Sequence, residues 1–236
     1  VYDQVKLPYI QPELRENRGE VEAAERNKLP DLVDVRDIRG DLQMHTKESD
    51  GKFSLEEMAE AAQELGYAYI AVTDHSKRVT MGKGLDEKRL AKQIERIDLL
   101  NRQMKGFTVL KSVEVDILED GSLDLSGDIL KELDLVTCSV HYNRNLSLEK
   151  MTGRILRAMD NPYCNILGHP TGRIIGSRDP YELDLEKIME AALERNCFME
   201  INADPGRLDL SDIHCKMARD MGLKLSISTD AHSTSG

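Results

Sequence analysis

The sequence predicts an α/β barrel of parallel strands, and two observations lead to that fold class. From residue 39 onward, segments with strand and helix patterns alternate at intervals of roughly 20 to 40 residues. Five of the six histidines fall where a predicted strand ends, at His45, His75, His141, His169 and His232. Imidazoles at the ends of separate strands converge only if those strands are parallel and open onto one face, which a (β/α) barrel provides.

Seven segments have the apolar patterning of strands, namely 41–45, 68–74, 107–116, 134–140, 165–169, 197–202 and 224–229. Their alternation with helices implies parallel strands joined by right-handed crossovers. An open doubly wound sheet is the competing fold, but it gathers ligands at one switch point and not from nearly every strand.

The first helix has the clearest boundaries. Ser54 and Glu57 form a capping box, an apolar stripe follows, and Gly66 provides the stop. The stripe consists of Leu55, Met58, Ala59, Ala62 and Leu65. Similar patterns predict helices near 86–105, 147–159, 184–196 and 211–221.

The length and composition exclude several classes of protein. A chain of 236 residues is long enough to bury the core of one large α/β domain, and a net charge of −11 argues against a free-standing nucleic-acid binder. No apolar run approaches the roughly 20 residues of a membrane helix, and no signal peptide begins the chain. The four cysteines form no CxxC pair, so we expect reduced thiols in a cytoplasmic protein that does not bind membranes.

Basic residues are concentrated in segments that follow predicted strands. Among them we predict phosphate-binding roles for Arg144, Arg173, Arg178 and Arg207. In a barrel these guanidinium groups would surround the mouth that carries the histidines, and bound divalent ions would make that mouth more positive still. The simpler alternative is a scatter of solvated charges with no shared function.

Residues 1–38 differ from the rest of the chain. Pro8, Pro12 and Pro30 punctuate a segment rich in Glu, Arg and Asn that has no strand pattern. We predict that this segment is a linker packed on a domain, and that residues 39–236 form the barrel.

Carboxylates accompany the histidines at the strand ends. Gln43 and His45 share one face of an extended strand, as do Asp230 and His232 near the end of the chain. Glu114 interrupts an apolar strand, and a carboxylate at that position is able to bridge two cations. Mixed imidazole and carboxylate ligands favour Zn²⁺, Mn²⁺ or Fe²⁺ over Ca²⁺. Paired ions of this kind activate water and stabilise the oxygens of phosphoester hydrolysis.

A single histidine is more often structural than functional, but five at strand ends reverse that expectation. His214 is the internal comparison, because it lies within a predicted helix and we interpret it as an ordinary residue. The pattern therefore predicts a multinuclear metal centre.

The ordered motifs resemble those of the PHP (polymerase and histidinol phosphatase) superfamily. They run from an HxH-like Gln43-Met44-His45 through Ser49-Asp50-Gly51, Thr73-Asp74-His75, the internal Glu114, Ser139-Val140-His141 and Gly168-His169-Pro170 to Thr229-Asp230-Ala231-His232. The segments Leu7-Pro8-Tyr9-Ile10, Pro12-Glu13-Leu14-Arg15-Glu16 and Arg39-Gly40-Asp41-Leu42-Gln43 are similar to the region that joins the polymerase and PHP domains in prokaryotic family X DNA polymerases. The resemblance implies the C-terminal domain of such a polymerase, folded as a distorted barrel of seven βα units.

The same resemblance implies ligands for two to three divalent ions, Zn or Mn with Fe as a further option. One ion is assigned to Gln43, His45, Glu114 and Asp230, a second to Glu114, His141 and His169, and a third to Asp50, His75 and His232. The catalytic role is assigned to His45, Glu114 and Asp230. Asp74 falls on the other face of its strand, so we expect it to support a ligand and not to bind an ion.

Two features depart from the family pattern. Gln43 replaces the usual first histidine, and because a neutral amide coordinates more weakly than imidazole, the first ion would be held more loosely or would be a harder cation. The chain also stops at Gly236, soon after His232, where the family continues, which predicts a C-terminally truncated domain.

Three functions are consistent with these observations. The leading hypothesis is a metal-dependent phosphoesterase that acts as a 3′→5′ exonuclease or 3′-end-processing enzyme on DNA, since the N-terminal segment resembles a polymerase linker. The second is a small-molecule phosphomonoesterase of the histidinol phosphatase kind, which the acidic net charge and the absence of Trp for base stacking favour. The third is a non-catalytic structural domain with a vestigial metal site, for which Gln43 is the supporting residue.

Overall fold

The computed structural model describes residues 1–235, so Gly236, the last residue of the predicted barrel, lies outside the described residues. The chain divides into two compact units, one from Val1 to Ile38 and one that begins at Arg39. The division falls at the end of the predicted linker, whose role as a linker stays a prediction.

The first unit consists of short helical segments. They are α1 Tyr2–Val5, a 3₁₀ turn at Pro12–Leu14, α2 Glu20–Glu25 and a 3₁₀ turn at Val35–Asp37. The Arg15 guanidinium donates to the Ile10 carbonyl at 3.0 and 2.8 Å and lies over the rings of Tyr2 and Tyr9. Local contacts of this kind order a segment that is too short to bury a sizeable core.

The second unit alternates strands and helices as predicted. Its strands are β1 Gly40–Met44, β2 Tyr69–Val72, β3 Thr108–Lys111, β4 Glu114–Asp116, β5 Thr137–Ser139, β6 Ile166–Leu167, β7 Phe198–Asn202 and β8 Leu225–Ser228. Its helices are α3 Leu55–Glu64, α4 Glu87–Gln103, α5 Gly127–Leu130, α6 Leu148–Met159, α7 Leu185–Arg195 and α8 Asp212–Met221. Every predicted strand and helix is present. The structure adds α5, which was not predicted because its four residues are too few to show a helical period in the sequence.

All strand pairs are parallel, and they form two sheets in the orders β1-β2-β3 and β4-β5-β6-β7-β8. The sheets meet at both edges. One joint is a parallel bridge between His75 and Glu114, and the other is a parallel bridge between Met44 and Ala231. With β3 and β4 taken as one interrupted strand, seven strands follow one another around the unit, and the predicted α/β barrel of parallel strands is confirmed.

The predicted strand 107–116 is interrupted near its end. β3 pairs with β2, two buried residues follow, and β4 pairs with β5. Beyond the interruption the Glu114 amide donates to the Asp74 carbonyl at 3.2 Å, and the Ser76 amide donates to the Glu114 carbonyl at 3.0 Å. The change of partner therefore places Glu114 beside His75 at the end of β2.

Helix α3 buries one apolar stripe and packs against β2. Its capping box is present, since Ser54 Oγ accepts the Glu57 amide at 3.3 Å and the Glu57 carboxylate accepts the Ser54 amide at 2.8 Å. Four members of the predicted stripe are buried, but the prediction is wrong at Leu65, which is 69% exposed. The helix ends one residue earlier, and the chain reverses at Gly66, where φ is 84°.

Two further observations concern the composition of the chain. All four cysteines are free thiols, and three of them are buried. Among residues 1–235, no helix combines the length and the apolar character needed to cross a membrane.

Candidate metal centre

The nine predicted ligands converge at the C-terminal ends of six strands. They are Gln43 and His45 on and after β1, Asp50 in the following loop, His75 after β2, Glu114 on β4, His141 after β5, His169 after β6, and Asp230 and His232 after β8. Gln43, His45 and Glu114 are almost completely buried, while His232 and Asp50 are the most exposed members. The centre is therefore a partly closed cavity with one side open to solvent.

The Glu114 carboxylate occupies the middle of this cluster. Its Oε1 atom lies 2.9 Å from His169 Nε2 and 3.5 Å from His141 Nε2. Its Oε2 atom lies 2.9 Å from His75 Nδ1 and 3.7 Å from His45 Nε2. One oxygen thus faces two imidazoles and the other faces two more, which is the geometry a bridging carboxylate requires.

A second carboxylate, Asp230, approaches from β8. Its Oδ1 atom lies 3.0 Å from His45 Nε2, and Gln43 Nε2 points between it and Glu114, at 3.5 and 3.3 Å. Asp230 has a φ of 57°, a left-handed backbone conformation that residues other than glycine rarely adopt. The backbone therefore turns sharply to present this carboxylate to the cluster.

The third group of ligands surrounds Asp50 on the solvent side. Asp50 Oδ2 lies 3.4 Å from His75 Nε2, and Asp50 Oδ1 lies 3.4 Å from His232 Nε2 and 3.8 Å from His45 Nδ1. The rings of His45 and His232 stack with centroids 4.3 Å apart. His45 consequently lies between Asp230 on one side and Asp50 on the other.

Two subsets have the compactness expected of a metal site, with all ligand atoms within 4.8 Å of one another. They are His45, Asp50, His75 and His232, and His75, Glu114 and His141. These subsets differ from the predicted grouping, in which His45 and Asp50 serve different ions. Because His45 faces three carboxylates and His75 faces two, the distances alone are compatible with either grouping.

The residues of the cluster fit divalent cations on two counts. Several of their buried polar atoms have no hydrogen-bond partner within residues 1–235, including Gln43 Oε1, His45 Nδ1 and His169 Nδ1. The donor set is imidazole and carboxylate without thiolate, which suits Zn²⁺, Mn²⁺ or Fe²⁺. Cations bound among these atoms would satisfy groups that are otherwise costly to bury.

The electrostatics of the cluster lead to the same interpretation. Burial lowers the pKa of His75 and of His141, but attraction to Glu114 and hydrogen bonds to the neighbouring carboxylates together outweigh burial and raise these values to about 11 and about 9. Burial raises the pKa of Glu114, yet the neighbouring His141 and His75 hold it well below its usual value. In the absence of metal, protons on the imidazoles thus compensate the negative charge of the buried carboxylate. A bound metal ion would replace these protons.

Three residues that support the cluster were not predicted. Asp116 Oδ1 lies 3.1 Å from His141 Nδ1 and accepts the amide of the same histidine at 3.1 Å. Asn202 Nδ2 donates to Asp230 Oδ2 at 3.0 Å, and Glu200 accepts the His169 amide at 2.6 Å. Burial, and then repulsion from Asp230, raises the pKa of Glu200 well above its usual value.

A simple sequence signal could have found these residues. Asp116 lies two positions after Glu114, and Glu200 and Asn202 lie two positions apart on β7. Residues at that spacing share one face of a strand, so polar pairs within apolar strands indicate the direction of the site. β7 ends without a histidine, so the pattern of histidines at strand ends does not indicate its polar residues.

Asp74 faces away from the cluster, as its parity predicted. Its carboxylate accepts the Thr46 amide at 2.8 Å, the Thr46 hydroxyl at 2.7 Å and the Ser49 hydroxyl at 2.5 Å. These bonds hold the loop that carries Asp50. Asp74 therefore positions one ligand without contacting the others.

The four predicted phosphate-binding arginines lie in two places. Arg207 Nε is 3.4 Å from Asp230 Oδ2, at the edge of the centre. Arg173 donates to the backbone carbonyls of Arg207 and Leu208, so its guanidinium is engaged within the protein. Arg144 and Arg178 line a separate cleft, described below.

His214, the comparison residue, does not join the cluster. Its Nδ1 atom lies 3.1 Å from the hydroxyl of Ser211, which precedes α8. The structure thus separates this histidine from the five at strand ends.

Comparisons with known sequences identify relatives of this chain. The sequence profile of the PHP domain matches residues 41–204. The "DNA polymerase/3′-5′ exonuclease PolX" of Bacillus subtilis is 43% identical over 231 residues, 98% of this chain but 40% of that protein. A Thermoanaerobacter protein named as a probable phosphatase is 33% identical over 203 residues, 81% of this chain and 78% of that protein.

Solved structures with the same fold were also found. A Listeria monocytogenes protein assigned as a histidinol phosphatase superimposes with a TM-score of 0.66 at 13% identity, covering 83% of this chain and 96% of that one. The Lactococcus lactis histidinol phosphate phosphatase, solved with Zn, L-histidinol and phosphate, gives a TM-score of 0.57 at 18% identity over 83% of this chain and 87% of that one. At these identities the likeness concerns the fold alone.

Proposed function

The chain belongs to the PHP domain family, and from that premise we propose that it is a metal-dependent phosphoesterase that removes nucleotides from the 3′ ends of DNA, as part of a family X DNA polymerase. The observation that carries the proposal is the Glu114 carboxylate, which lies between four imidazoles contributed by four different strands. The choice of DNA rests on the 43% identity to a polymerase and 3′-5′ exonuclease across nearly the whole chain. Because the chain spans 40% of that relative, the polymerase partner is part of the proposal.

We assign the ligands of two to three divalent ions, Zn or Mn with Fe as a further option, to nine side chains. They are Gln43, His45, Glu114 and Asp230 for one ion, Glu114, His141 and His169 for a second, and Asp50, His75 and His232 for a third. When bound, such ions supply Lewis acidity, which lowers the pKa of water and offsets charge on phosphoryl oxygens. Glu114, shared by two sets, fixes their spacing.

The chain's own side chains define where the substrate approaches. His141 and His232 have partly exposed side chains, whereas His45 is fully enclosed. A phosphodiester therefore reaches the centre from the side of His141 and His232. Arg207 lies against Asp230 with a partly exposed side chain, so its guanidinium is placed to contact an anionic substrate at the edge of the centre.

A second function is supported by other relatives. The Thermoanaerobacter relative is named as a probable phosphatase. This chain covers 78% of its length, against 40% of the length of the polymerase. A small phosphomonoester would use the same centre but no DNA strand. Substrate preference decides between the two functions.

The deciding experiment compares two substrates under one set of conditions. The chelator-treated chain is given Mn²⁺ or Zn²⁺ and assayed on a 3′-labelled single-stranded oligonucleotide and on a small phosphomonoester such as L-histidinol phosphate. We expect release of the labelled terminal nucleotide at a much higher kcat/KM than phosphate release. Glu114→Gln should abolish both activities, and Glu190→Gln, an exposed change of the same kind on α7, should leave both intact. Hydrolysis of the monoester alone would establish the second function instead.

A further inference from the structure

A cleft of about 800 Å³ opens beside the metal centre, with His141 in its lining. Its walls are residues 141–146, which follow β5, and residues 177–181, which precede α7. The volume is within the range of small-ligand sites, which is roughly 300 to 1,000 Å³. Because His141 belongs both to the cluster and to the wall, a molecule bound at the centre extends directly into this cleft.

Two arginines in the cleft share one backbone acceptor. Arg144 Nη2 and Arg178 Nε both donate to the carbonyl oxygen of Gly172, which brings the two guanidinium groups together. Within residues 1–235 neither of them forms an ion pair with a carboxylate, and Arg144 Nε is buried without any hydrogen-bond partner. Burial and the mutual repulsion of Arg144, Arg178 and Arg207 lower the pKa of Arg178. An anion between the two groups would relieve this repulsion.

The remaining wall of the cleft is suited to a nucleoside. Tyr142 lies in the wall, and Tyr181 forms its buried floor, with its hydroxyl donating to the Pro170 carbonyl at 2.8 Å. The Arg144 guanidinium lies 5.4 Å from the centroid of the Tyr181 ring, and this contact orients the guanidinium. The buried Tyr181 ring thus supports Arg144, whereas the partly exposed Tyr142 ring and the Arg144 guanidinium are surfaces of the kind on which nucleic-acid bases stack.

From this arrangement we infer that the cleft binds the nucleotide on the 5′ side of the scissile bond in single-stranded DNA, with Arg144 and Arg178 contacting the phosphate of that nucleotide. The inference rests on the proposed function. The scissile phosphate occupies the metal centre, so the arginines of the cleft need a second anion. A phosphodiester strand carries one, whereas a phosphomonoester does not. The cleft thereby gives the enzyme a preference for oligonucleotides over small phosphate esters.

The test uses two substrates that differ only on the 5′ side of the bond that is cleaved. One is a 3′-labelled oligonucleotide, and the other is the p-nitrophenyl ester of thymidine 5′-monophosphate, in which p-nitrophenol replaces the rest of the strand. Arg144→Gln and Arg178→Gln should each lower kcat/KM on the oligonucleotide by about tenfold or more, chiefly through KM, because each removes a charged hydrogen bond. Both variants should stay within about threefold of the unmodified chain on the p-nitrophenyl ester.

Arg219→Gln is the matched control, because it removes one positive charge, as the two cleft variants do. Arg219 pairs with its neighbour Asp220 in the region of α8, outside the cleft. It should alter neither activity. Equal losses on both substrates would show that the arginines act at the scissile phosphate or support the fold, and unchanged oligonucleotide cleavage would show that the cleft is not a subsite. If the unmodified chain cleaves only the p-nitrophenyl ester or phosphomonoesters, the proposed function fails first, and the subsite fails with it.

Discussion

Asp116 and His141 form a carboxylate–imidazole pair at the edge of the metal centre. Asp116 Oδ1 lies 3.1 Å from His141 Nδ1, while His141 Nε2 points toward Glu114 at 3.5 Å. A carboxylate at Nδ1 fixes the proton there, so that Nε2 is free to bind a metal ion. Asp116 is therefore a positioning residue for His141.

The first prediction concerns this pair. Asp116→Ala should weaken divalent metal binding by about 10- to 100-fold, because the imidazole loses both its orientation and its proton acceptor. The affinity is measured by competition with a chelator of known strength. Asp128→Ala, at a side chain that is 96% exposed, is the control. An affinity equal to that of the unmodified chain would show that His141 does not depend on Asp116, or that it binds no ion.

The second prediction is a metal stoichiometry above one. The candidate ligands come from six strand ends and group around three carboxylates, Glu114, Asp230 and Asp50. They cannot all reach a single ion, because Asp50 and Asp230 lie at opposite nitrogens of His45. Elemental analysis after mild dialysis should therefore give more than one Zn or Mn per chain. A value of one or below would contradict a multinuclear centre.

The third prediction compares Glu114 with Gln43. Glu114→Ala should reduce metal retention more than Gln43→Ala, because Glu114 faces four imidazoles and carries charge, whereas the Gln43 amide has neither property. Retained metal is measured by elemental analysis of the two variants purified in parallel. Equal losses would mean that Glu114 does not bridge two ions.

The strand ends and the convergence of the candidate ligands were predictable from the sequence, because both depend on local patterns. Period-two alternation identifies strands, and a histidine at a strand end needs no knowledge of partners. What it could not predict are contacts between distant segments. The interruption between β3 and β4 and the pairing of Asn202 with Asp230 arise from packing across the barrel. The roles of the arginines depend on which backbone carbonyls lie near, and Arg173 illustrates this.

The fourth prediction concerns the stability of the metal-free chain as a function of pH. Burial lowers the pKa of His75 and His141, but attraction to Glu114, together with hydrogen bonds to the neighbouring carboxylates, raises these values to about 11 and about 9. Both imidazoles therefore keep a proton in the folded state at pH values where the unfolded chain has lost it. Their stabilisation is complete below about pH 6.5 and is lost as the pH rises through the folded values.

Between pH 7 and 9 the unfolding free energy should fall by on the order of 1 kcal/mol per pH unit for His75, and by less for His141 as the pH approaches its folded value of about 9. Urea unfolding in the presence of a chelator at pH 6, 7, 8 and 9 measures it. With saturating Zn²⁺ the ions displace these protons, and because the unfolded imidazoles are also largely unprotonated above pH 7, the decrease should disappear. A metal-free unfolding free energy that is constant or rises over this range would contradict the charge assignment.

The last prediction concerns Gln43, which replaces an expected histidine. Its side chain is fully buried, its Nε2 atom lies 3.3 Å from Glu114 and 3.5 Å from Asp230, and its Oε1 atom has no hydrogen-bond partner within residues 1–235. Imidazole is a better donor than an amide to Zn²⁺ or Mn²⁺ and has a similar reach from the same strand face. If this difference is about 1.4 kcal/mol, Gln43→His should lower the Mn²⁺ concentration for half-maximal activity by about tenfold.

The measurement is a titration of Mn²⁺ against cleavage of a 3′-labelled single strand, with Gln43→Leu as a variant of similar size that lacks a ligand atom. Strong activity in the unmodified chain, with weaker metal dependence in Gln43→His, is the result that the proposed function requires. Slower turnover at saturating metal in that variant would add that a loosely held first ion assists the reaction. Activity that appears only after Gln43→His would contradict the proposed function, because the natural centre would then be a structural remnant that one imidazole repairs.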